Sequence, residues 1–229
     1  METKIEYIWD SFKGARRSSN KDDVAIINPD SPKGNIFAIF DGVSSLTNAR
    51  HGVNIAKNYL RHKISSKIHS NTTIDLKSIV VQINDKILLS KREKPFSTLA
   101  IIFFDAVSKN YATIINIGDS RVYKFTNQYI EQLTYDDKSN CDVNIITKYL
   151  GMSREIIDKI KPININIKQD ESILMCTDGF YEIMNKDIIQ FIVAFNKESI
   201  VKVRNDVAKL IEGKNNDDAT YILIRNKNV

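Results

Sequence analysis

Four short β-type segments in the middle of the chain place the strongest constraint on its fold. Residues 98–104, 111–117, 121–125 and 129–133 are rich in Val, Ile, Phe and Tyr, and only short connections separate them. Parallel neighbours need crossovers of about a dozen residues or more, so this spacing excludes βαβ units. The sequence therefore predicts an antiparallel meander within an α+β fold.

Further strands and helices are predicted on both sides of this meander. Residues 23–28 and 35–40 indicate a hairpin, because Pro and Gly fill the connector between them. Apolar residues at helical spacing predict two helices, one through 53–68 and one through 76–87. Later strands are predicted at 163–167, 172–176 and 219–224, and later helices at 143–150, 180–184, 187–195 and 199–211. The first two of these later strands are expected to pair with each other.

Length and composition limit the class of protein. A chain of 229 residues with 42% hydrophobic residues suits one large domain, so we expect a single domain over residues 1–229. The sequence has no apolar run of membrane-spanning length and no secretory signal. Its two cysteines form no C-x-x-C pair, which argues against a zinc ribbon or a disulfide scaffold. We expect a cytoplasmic monomer without a membrane partner.

Aspartates stand at the ends of four predicted strands. Asp41, Asp119 and Asp178 each follow an apolar run, and Asp217 comes just before one. Taken alone, each Asp-Gly pair is more typical of a turn. Carboxylates that converge from several strand ends, however, persist only when cations neutralise them, and such oxygen ligands select Mg²⁺ or Mn²⁺. Two such ions could activate a shared water and hold a phosphoryl group, so the pattern favours a metal site.

Eight motifs follow one another along the chain. They are RSSNKD (17–22), FAIFDGVSS (37–45), STLA (97–100), NIGDSRVY (116–123), LTYDDKS (133–139), ITKYLG (146–151), LMCTDGFYE (174–182) and DDATYI (217–222). In type and order they resemble the motifs of the metal-dependent protein phosphatases of type 2C, especially the compact bacterial members. The resemblance extends over about residues 14–225, which is nearly the whole chain.

The resemblance implies a fold and a reaction. The fold would be a four-layer α-β-β-α sandwich, with two packed antiparallel sheets flanked by helices. The activity would be hydrolysis of phosphoserine and phosphothreonine in proteins, through attack of a metal-bridging hydroxide. Arg17 would hold the substrate phosphate, as the planar guanidinium pairs with two phosphate oxygens, and Asp22 would support the site from behind.

The resemblance also implies a set of metal ligands for two core Mn²⁺ or Mg²⁺ ions and a third, weaker ion. Six residues are involved. Asp41 would bridge the core ions, the Gly42 carbonyl would bind one of them, and Asp178 and Asp217 would bind the other. Asp119 would bind the third ion together with Asp178, with Glu182 nearby.

Several positions depart from the family pattern. They are Lys21 in place of Glu or Gln, Val43 where some relatives carry His, Ser44-Ser45 in place of two glycines, Asp137 in place of His, and Asp218 in place of Asn. A cation at position 21 could oppose metal binding or contact phosphate. A pseudophosphatase that binds phosphoproteins or regulates a partner therefore stays open as the alternative. We expect no nucleic-acid partner, since no aromatic residues accompany Arg16-Arg17.

Overall fold

The structure, a computed structural model, describes residues 3–27, 34–43, 48–69, 73–91, 93–105, 110–142, 145–168 and 170–228. The strands within them are Thr3–Phe12 (β1), Asp23–Ile27 (β2), Asn35–Phe40 (β3), Leu99–Phe104 (β4), Tyr111–Ile117 (β5), Arg121–Phe125 (β6), Ile130–Gln132 (β7), Ile163–Asn166 (β8), Ser172–Cys176 (β9) and Ala219–Asn228 (β10). The helices are Ala49–His69 (α1), Leu76–Leu88 (α2), Arg154–Asp158 (α3), Asp178–Met184 (α4), Ile188–Phe195 (α5) and Ile200–Ile211 (α6).

The strands form two five-stranded sheets. Sheet I has the order β1-β10-β9-β6-β7 and sheet II the order β2-β3-β4-β5-β8. All neighbouring strands in both sheets are antiparallel. The predicted pairing of β2 with β3 is confirmed, while the turn between them lies outside the described residues.

Three apolar layers hold the sheets and helices together. Strand β3 contributes side chains to two of these layers, because successive side chains of a strand point to opposite faces of the sheet. Ile36, Ala38 and Phe40 pack with the buried faces of α1 and α2, whereas Phe37 and Ile39 pack against residues of sheet I. A third layer lies between sheet I and the helices α4, α5 and α6. The predicted four-layer α-β-β-α sandwich is therefore confirmed.

The outer helices follow from their apolar spacing. In α6 the buried residues Val203, Val207 and Ile211 recur every four positions and so share one face. Helix α2 begins after Asp75, whose side chain accepts a hydrogen bond from the backbone N–H of Ser78 at 3.0 Å. None of the described helices has the length and apolar character that crossing a membrane requires.

The predicted central meander is wrong at one connection. Strands β4 and β5 pair with each other, as do β6 and β7, but the chain crosses from sheet II to sheet I between β5 and β6. Gly118 lies in this crossover with φ +104°, and a Cβ there would come within 2.6 Å of Thr98 Cγ2. Short spacing indicates a sharp turn, but it cannot tell a hairpin from a turn that changes sheets.

The expected pairing of β8 with β9 is also wrong. Strand β8 adds to the edge of sheet II beside β5, and β9 lies in sheet I between β10 and β6. The expected helix over 143–150 is absent from its described part, residues 145–150, where isolated bridges join Lys138 to Ile146 and Ser97 to Leu150. Its first two residues lie outside the described part of the chain. Strand β1 was missing from the sequence prediction, although its many aromatic and Ile residues favour a strand.

Substitution of Gly52 tests the contact of α1 with the loop before β4. A Cβ at Gly52 would lie 1.8 Å from the carbonyl oxygen of Pro95, so the loop must move away from the helix. We expect Gly52→Ala to lower the free energy of unfolding by about 1–3 kcal/mol, although alanine is the better helix former. Urea unfolding measures this, with Asn54→Ala at an exposed position of the same helix as control. Equal or higher stability of Gly52→Ala would contradict the tight contact.

Candidate active site

Five aspartates come together where the ends of both sheets meet. Asp22 and Asp41 belong to the ends of sheet II, Asp119 to the crossover between the sheets, and Asp178 and Asp217 to the ends of sheet I strands. Burial raises the pKa of Asp41 well above its ordinary value, and the negative charges of the other four raise that pKa further. These five residues are called the carboxylate cluster below.

Asp22 joins the two sheets at the buried side of the carboxylate cluster. Its Oδ2 accepts hydrogen bonds from the hydroxyls of Thr177, at 2.9 Å, and Thr220, at 2.7 Å. The side chain is buried, and burial is the main reason that its pKa is raised to about 8. Thr177 precedes Asp178 and Thr220 lies in β10 close to Asp217. Asp22 therefore orders the segments that carry two other members of the cluster.

Asp178 begins helix α4 directly after strand β9. Its Oδ1 accepts a hydrogen bond from the backbone N–H of Gly179 at 2.6 Å. Burial, followed by the charges of Asp119 and Asp217, raises the pKa of Asp178 to about 7. A Cβ at Gly179 would lie 2.2 Å from the carbonyl oxygen of Asp218, so this close approach of the chain requires glycine.

The backbone around Asp41 and Gly42 is fixed by the residues that precede β4. The carbonyl of Asp41 accepts hydrogen bonds from the backbone N–H of Thr98 at 2.8 Å and from Ser97 Oγ at 3.0 Å. Gly42 and Ser97 form an isolated bridge. The motif STLA therefore acts by holding the Asp-Gly pair in place. Ser44-Ser45 lies outside the described residues.

Arg17 and Asp217 contact each other at the partly exposed side of the carboxylate cluster. The Arg17 Nε donates to Asp217 Oδ1 at 2.6 Å, and the Nη2 also pairs with Oδ2. Both side chains are partly exposed and line a cleft of about 360 Å³. The other charged side chains of this cleft are Arg16, Glu182, Lys186 and Lys214. The predicted phosphate ligand and one predicted metal ligand thus lie side by side.

Asp119 contacts a lysine that the sequence analysis did not single out. Its Oδ2 lies 3.1 Å from Lys138 Nζ, while its Oδ1 is buried and has no hydrogen-bond partner among the described residues. Only 1% of Asp119 is exposed. The available sequence signal was a basic residue within the motif LTYDDKS, but nothing in the sequence indicated that it faces an aspartate.

Two side chains that depart from the family pattern accept hydrogen bonds from backbone N–H groups. Asp218 accepts hydrogen bonds from the backbone N–H groups of Gly14 and Lys21, both at 2.8 Å. Asp137 Oδ2 accepts one from the backbone N–H of Gly118 at 3.1 Å. Lys21 lies beside Gly42, since a Cβ at Gly42 would be 3.2 Å from Lys21 Cβ.

The chemistry of the carboxylate cluster fits divalent cations, although its side chains are not gathered around one point. Among the described residues, no group of three or more His, Cys, Asp and Glu side chains could hold an ion as it stands. Asp217 is held by Arg17, and Asp119 by Lys138. The raised pKa values of Asp41 and Asp178 indicate that the protein's own cations do not offset the negative charge at these two positions.

Comparison with known proteins identifies the family. A family model described as Protein phosphatase 2C matches residues 14–219. The chain belongs to this family. A provisionally named protein phosphatase of Mycoplasma genitalium is 28% identical over 135 residues, covering 52% of this chain and 52% of that protein. The chain thus aligns with about half the length of this curated relative.

Solved structures of phosphatases share the fold. Serine/threonine phosphatase Stp1 from Staphylococcus aureus superposes with a TM-score of 0.78 at 18% identity, covering 98% of this chain and 96% of that one. The catalytic domain of serine/threonine protein phosphatase PstP, in complex with two manganese ions, gives a TM-score of 0.72 at 18% identity, covering 99% and 100%. At these identities the likeness establishes the protein phosphatase 2C fold over the matched length.

The raised pKa values predict an unusual pH dependence of stability in the metal-free protein. The folded-state pKa is about 8 for Asp22 and about 7 for Asp178, against about 3.9 in an unfolded chain, so the native state binds more protons across this window. The free energy of unfolding should therefore fall, on the order of several kcal/mol, as pH rises from about 4 through 8. Urea unfolding in EDTA measures this dependence.

The variant Asp178→Asn assigns that dependence to the carboxylate cluster. It removes one buried negative charge, so the metal-free variant should be more stable than wild type at pH 8 and lose less stability between pH 5 and 8. Asp158→Asn, at an exposed position of α3, is the matched control and should follow the wild-type pH dependence. If the unfolding free energies of both variants depend on pH as that of wild type does, burial and the neighbouring charges do not raise the pKa of Asp178.

Proposed function

We propose that this protein is an Mn²⁺- or Mg²⁺-dependent phosphatase that hydrolyses phosphoserine and phosphothreonine in proteins. Residues 1–229 would act as one catalytic domain, as a cytoplasmic monomer. The observation that carries the proposal is the carboxylate cluster, which the ends of both sheets supply and whose member Asp217 lines a cleft together with basic side chains. Membership of the protein phosphatase 2C family supports it.

Four groups of the chain would hold the ions. These are the carboxylates of Asp41, Asp178 and Asp217 and the carbonyl of Gly42. Because burial and mutual repulsion raise the pKa values of Asp41 and Asp178, ion binding would release the protons that these two carboxyl groups retain. When bound, the ions supply an activated water and positive charge for the phosphoryl oxygens. The two manganese ions in the PstP structure support such a site.

Arg17 would bind the substrate phosphate in exchange for Asp217. Its planar guanidinium forms two parallel contacts with the Asp217 carboxylate, and the same geometry matches two oxygens of a phosphoryl group. Asp217 cannot serve an ion and Arg17 fully at the same time. Once Asp217 turns to an ion, the two donor groups of Arg17 would face the cleft and orient the phosphate.

Asp22 would act through its neighbours and not on the substrate. It is buried behind the carboxylate cluster and holds the hydroxyls of Thr177 and Thr220. These residues lie next to the segments that carry Asp178 and Asp217. The contribution of Asp22 is therefore to keep those two ligands at a fixed separation.

A regulatory phosphoprotein-binding module without catalysis is the second candidate. The observation that favours it is that cationic side chains of the chain itself already engage two members of the carboxylate cluster. Arg17 pairs with Asp217, and Lys138 pairs with Asp119. Such a module would bind phosphorylated protein in the basic cleft and take up no divalent ion.

Hydrolysis of p-nitrophenyl phosphate separates these candidates. We expect activity with Mn²⁺, loss of activity in EDTA, and a decrease of about 100-fold or more in kcat for Asp41→Asn or Asp178→Asn, because each removes a ligand of the reacting centre. Asp158→Asn is the control. Phosphoserine and phosphothreonine peptides test the substrate class. Turnover that persists in EDTA would contradict the mechanism, and no Mn²⁺ uptake by calorimetry would favour the regulatory module.

A second variant tests the exchange proposed for Arg17. Removal of its charge in Arg17→Met frees Asp217, so we expect tighter Mn²⁺ binding in calorimetry together with a kcat/KM for phosphate esters that is about 10- to 100-fold lower. Arg16→Met, at the exposed neighbouring position, is the control and should leave Mn²⁺ affinity at the wild-type value. Weaker Mn²⁺ binding by Arg17→Met would show that Arg17 positions Asp217 as a ligand and does not compete for it.

A further inference from the structure

Lys138 brings a positive charge into the carboxylate cluster. Its Nζ lies 3.1 Å from Asp119 Oδ2 and donates a hydrogen bond to the Tyr181 hydroxyl at 3.1 Å. The same ammonium lies 5.7 Å from the centre of the Tyr181 ring. Asp119 is almost fully buried, whereas Lys138 keeps 21% of its side chain exposed. A buried carboxylate needs a paired cation, and Lys138 provides it.

The backbone holds Lys138 in this position. Its neighbour Asp137 donates its backbone N–H to the carbonyl of Gly118 at 3.0 Å and accepts the Gly118 N–H on its side chain at 3.1 Å. Lys138 itself forms a bridge with Ile146. The segment that carries the ammonium is therefore fixed directly to the crossover that carries Asp119. Main-chain contacts thus fix the backbone of Lys138 beside Asp119, and the hydrogen bond to Tyr181 orients its ammonium.

An ion at Asp119 and the ammonium of Lys138 exclude each other. A divalent ion within ligand distance of Asp119 would lie a few ångströms from Nζ, where two positive charges repel strongly. The negative charge of Asp119 acts on both Asp41 and Asp178, so a cation at Asp119 also offsets charge at the centre of the cluster.

We propose that Lys138 is an internal cation of the site, whose ammonium takes the place of a metal ion at Asp119. The protein would then bind divalent ions at Asp41, Asp178 and Asp217 but not at Asp119, in contrast to the third ion that the family resemblance implies. This inference rests on the proposed function, because it concerns the metal content of the same site. Removal of the lysine charge would open Asp119 to an additional ion.

The test is the number of Mn²⁺ ions bound per chain, measured by equilibrium dialysis at saturating Mn²⁺ with metal analysis. We expect Lys138→Met to bind one ion more than wild type, because methionine keeps the unbranched side chain without its charge. Lys138→Arg should retain the wild-type number. The double variant Asp119→Asn/Lys138→Met should lose the additional ion, which would place that ion at Asp119.

Asp119→Asn alone provides an independent measurement that does not depend on the folding of the lysine variant. If Lys138 takes the metal position, this substitution leaves the number of bound ions unchanged. A decrease by one ion would overturn the inference, as would equal numbers for wild type and a Lys138→Met protein whose circular dichroism shows the native fold. If wild type binds no Mn²⁺, the proposed function is contradicted. The inference about Lys138 is still decided by whether Lys138→Met binds one ion more than wild type.

Discussion

Repulsion among five carboxylates at the junction of two sheets is the constraint on which the rest of the site depends. The members of the carboxylate cluster differ in the partners that stabilise them. Asp22 accepts two threonine hydroxyls, and Asp178 accepts a backbone N–H of α4. Asp217 and Asp119 have cationic partners, while Asp41 forms no ion pair within the described residues. A positive charge beside Asp41 would therefore offset the repulsion that raises its pKa.

The fold creates this constraint because it brings strand ends from both sheets to one place. Charged side chains are costly to bury between apolar layers, so these aspartates lie where the strands stop. The crossover from β5 to β6 also brings an aspartate to this place, because the chain leaves sheet II and enters sheet I beside Asp119. The hydrogen bonds from Thr177 and Thr220 to Asp22 then link the two sheets at this end. Stability of the sandwich and geometry of the site are thus coupled.

Much of this fold could be predicted from the sequence, and the reasons are local. Strands β5 and β6 have the predicted bounds because turn-forming residues flank them. Strands β3 and β9 have the predicted bounds because both of their faces are largely buried, which gives nearly continuous apolar runs. The four strand-end aspartates were found for the same reason. Sheet membership could not be predicted, since a turn at Gly118 is compatible with a hairpin or a crossover. The contacts of Lys138 with Asp119 and of Arg17 with Asp217 join residues far apart in sequence, and no local pattern indicates them.

The two cationic side chains in the site differ in a way that sets their roles. Arg17 and Asp217 keep 29% and 30% of their side chains exposed, so water can replace either partner at small cost when they separate. Asp119 keeps only 2%, and separation from Lys138 would leave a buried carboxylate without a counter-charge. Under the proposed function, Arg17 would exchange Asp217 for a phosphate, whereas Lys138 would stay in place. The exposure of each pair therefore distinguishes the cation that could change its partner from the cation that stays paired in the folded protein.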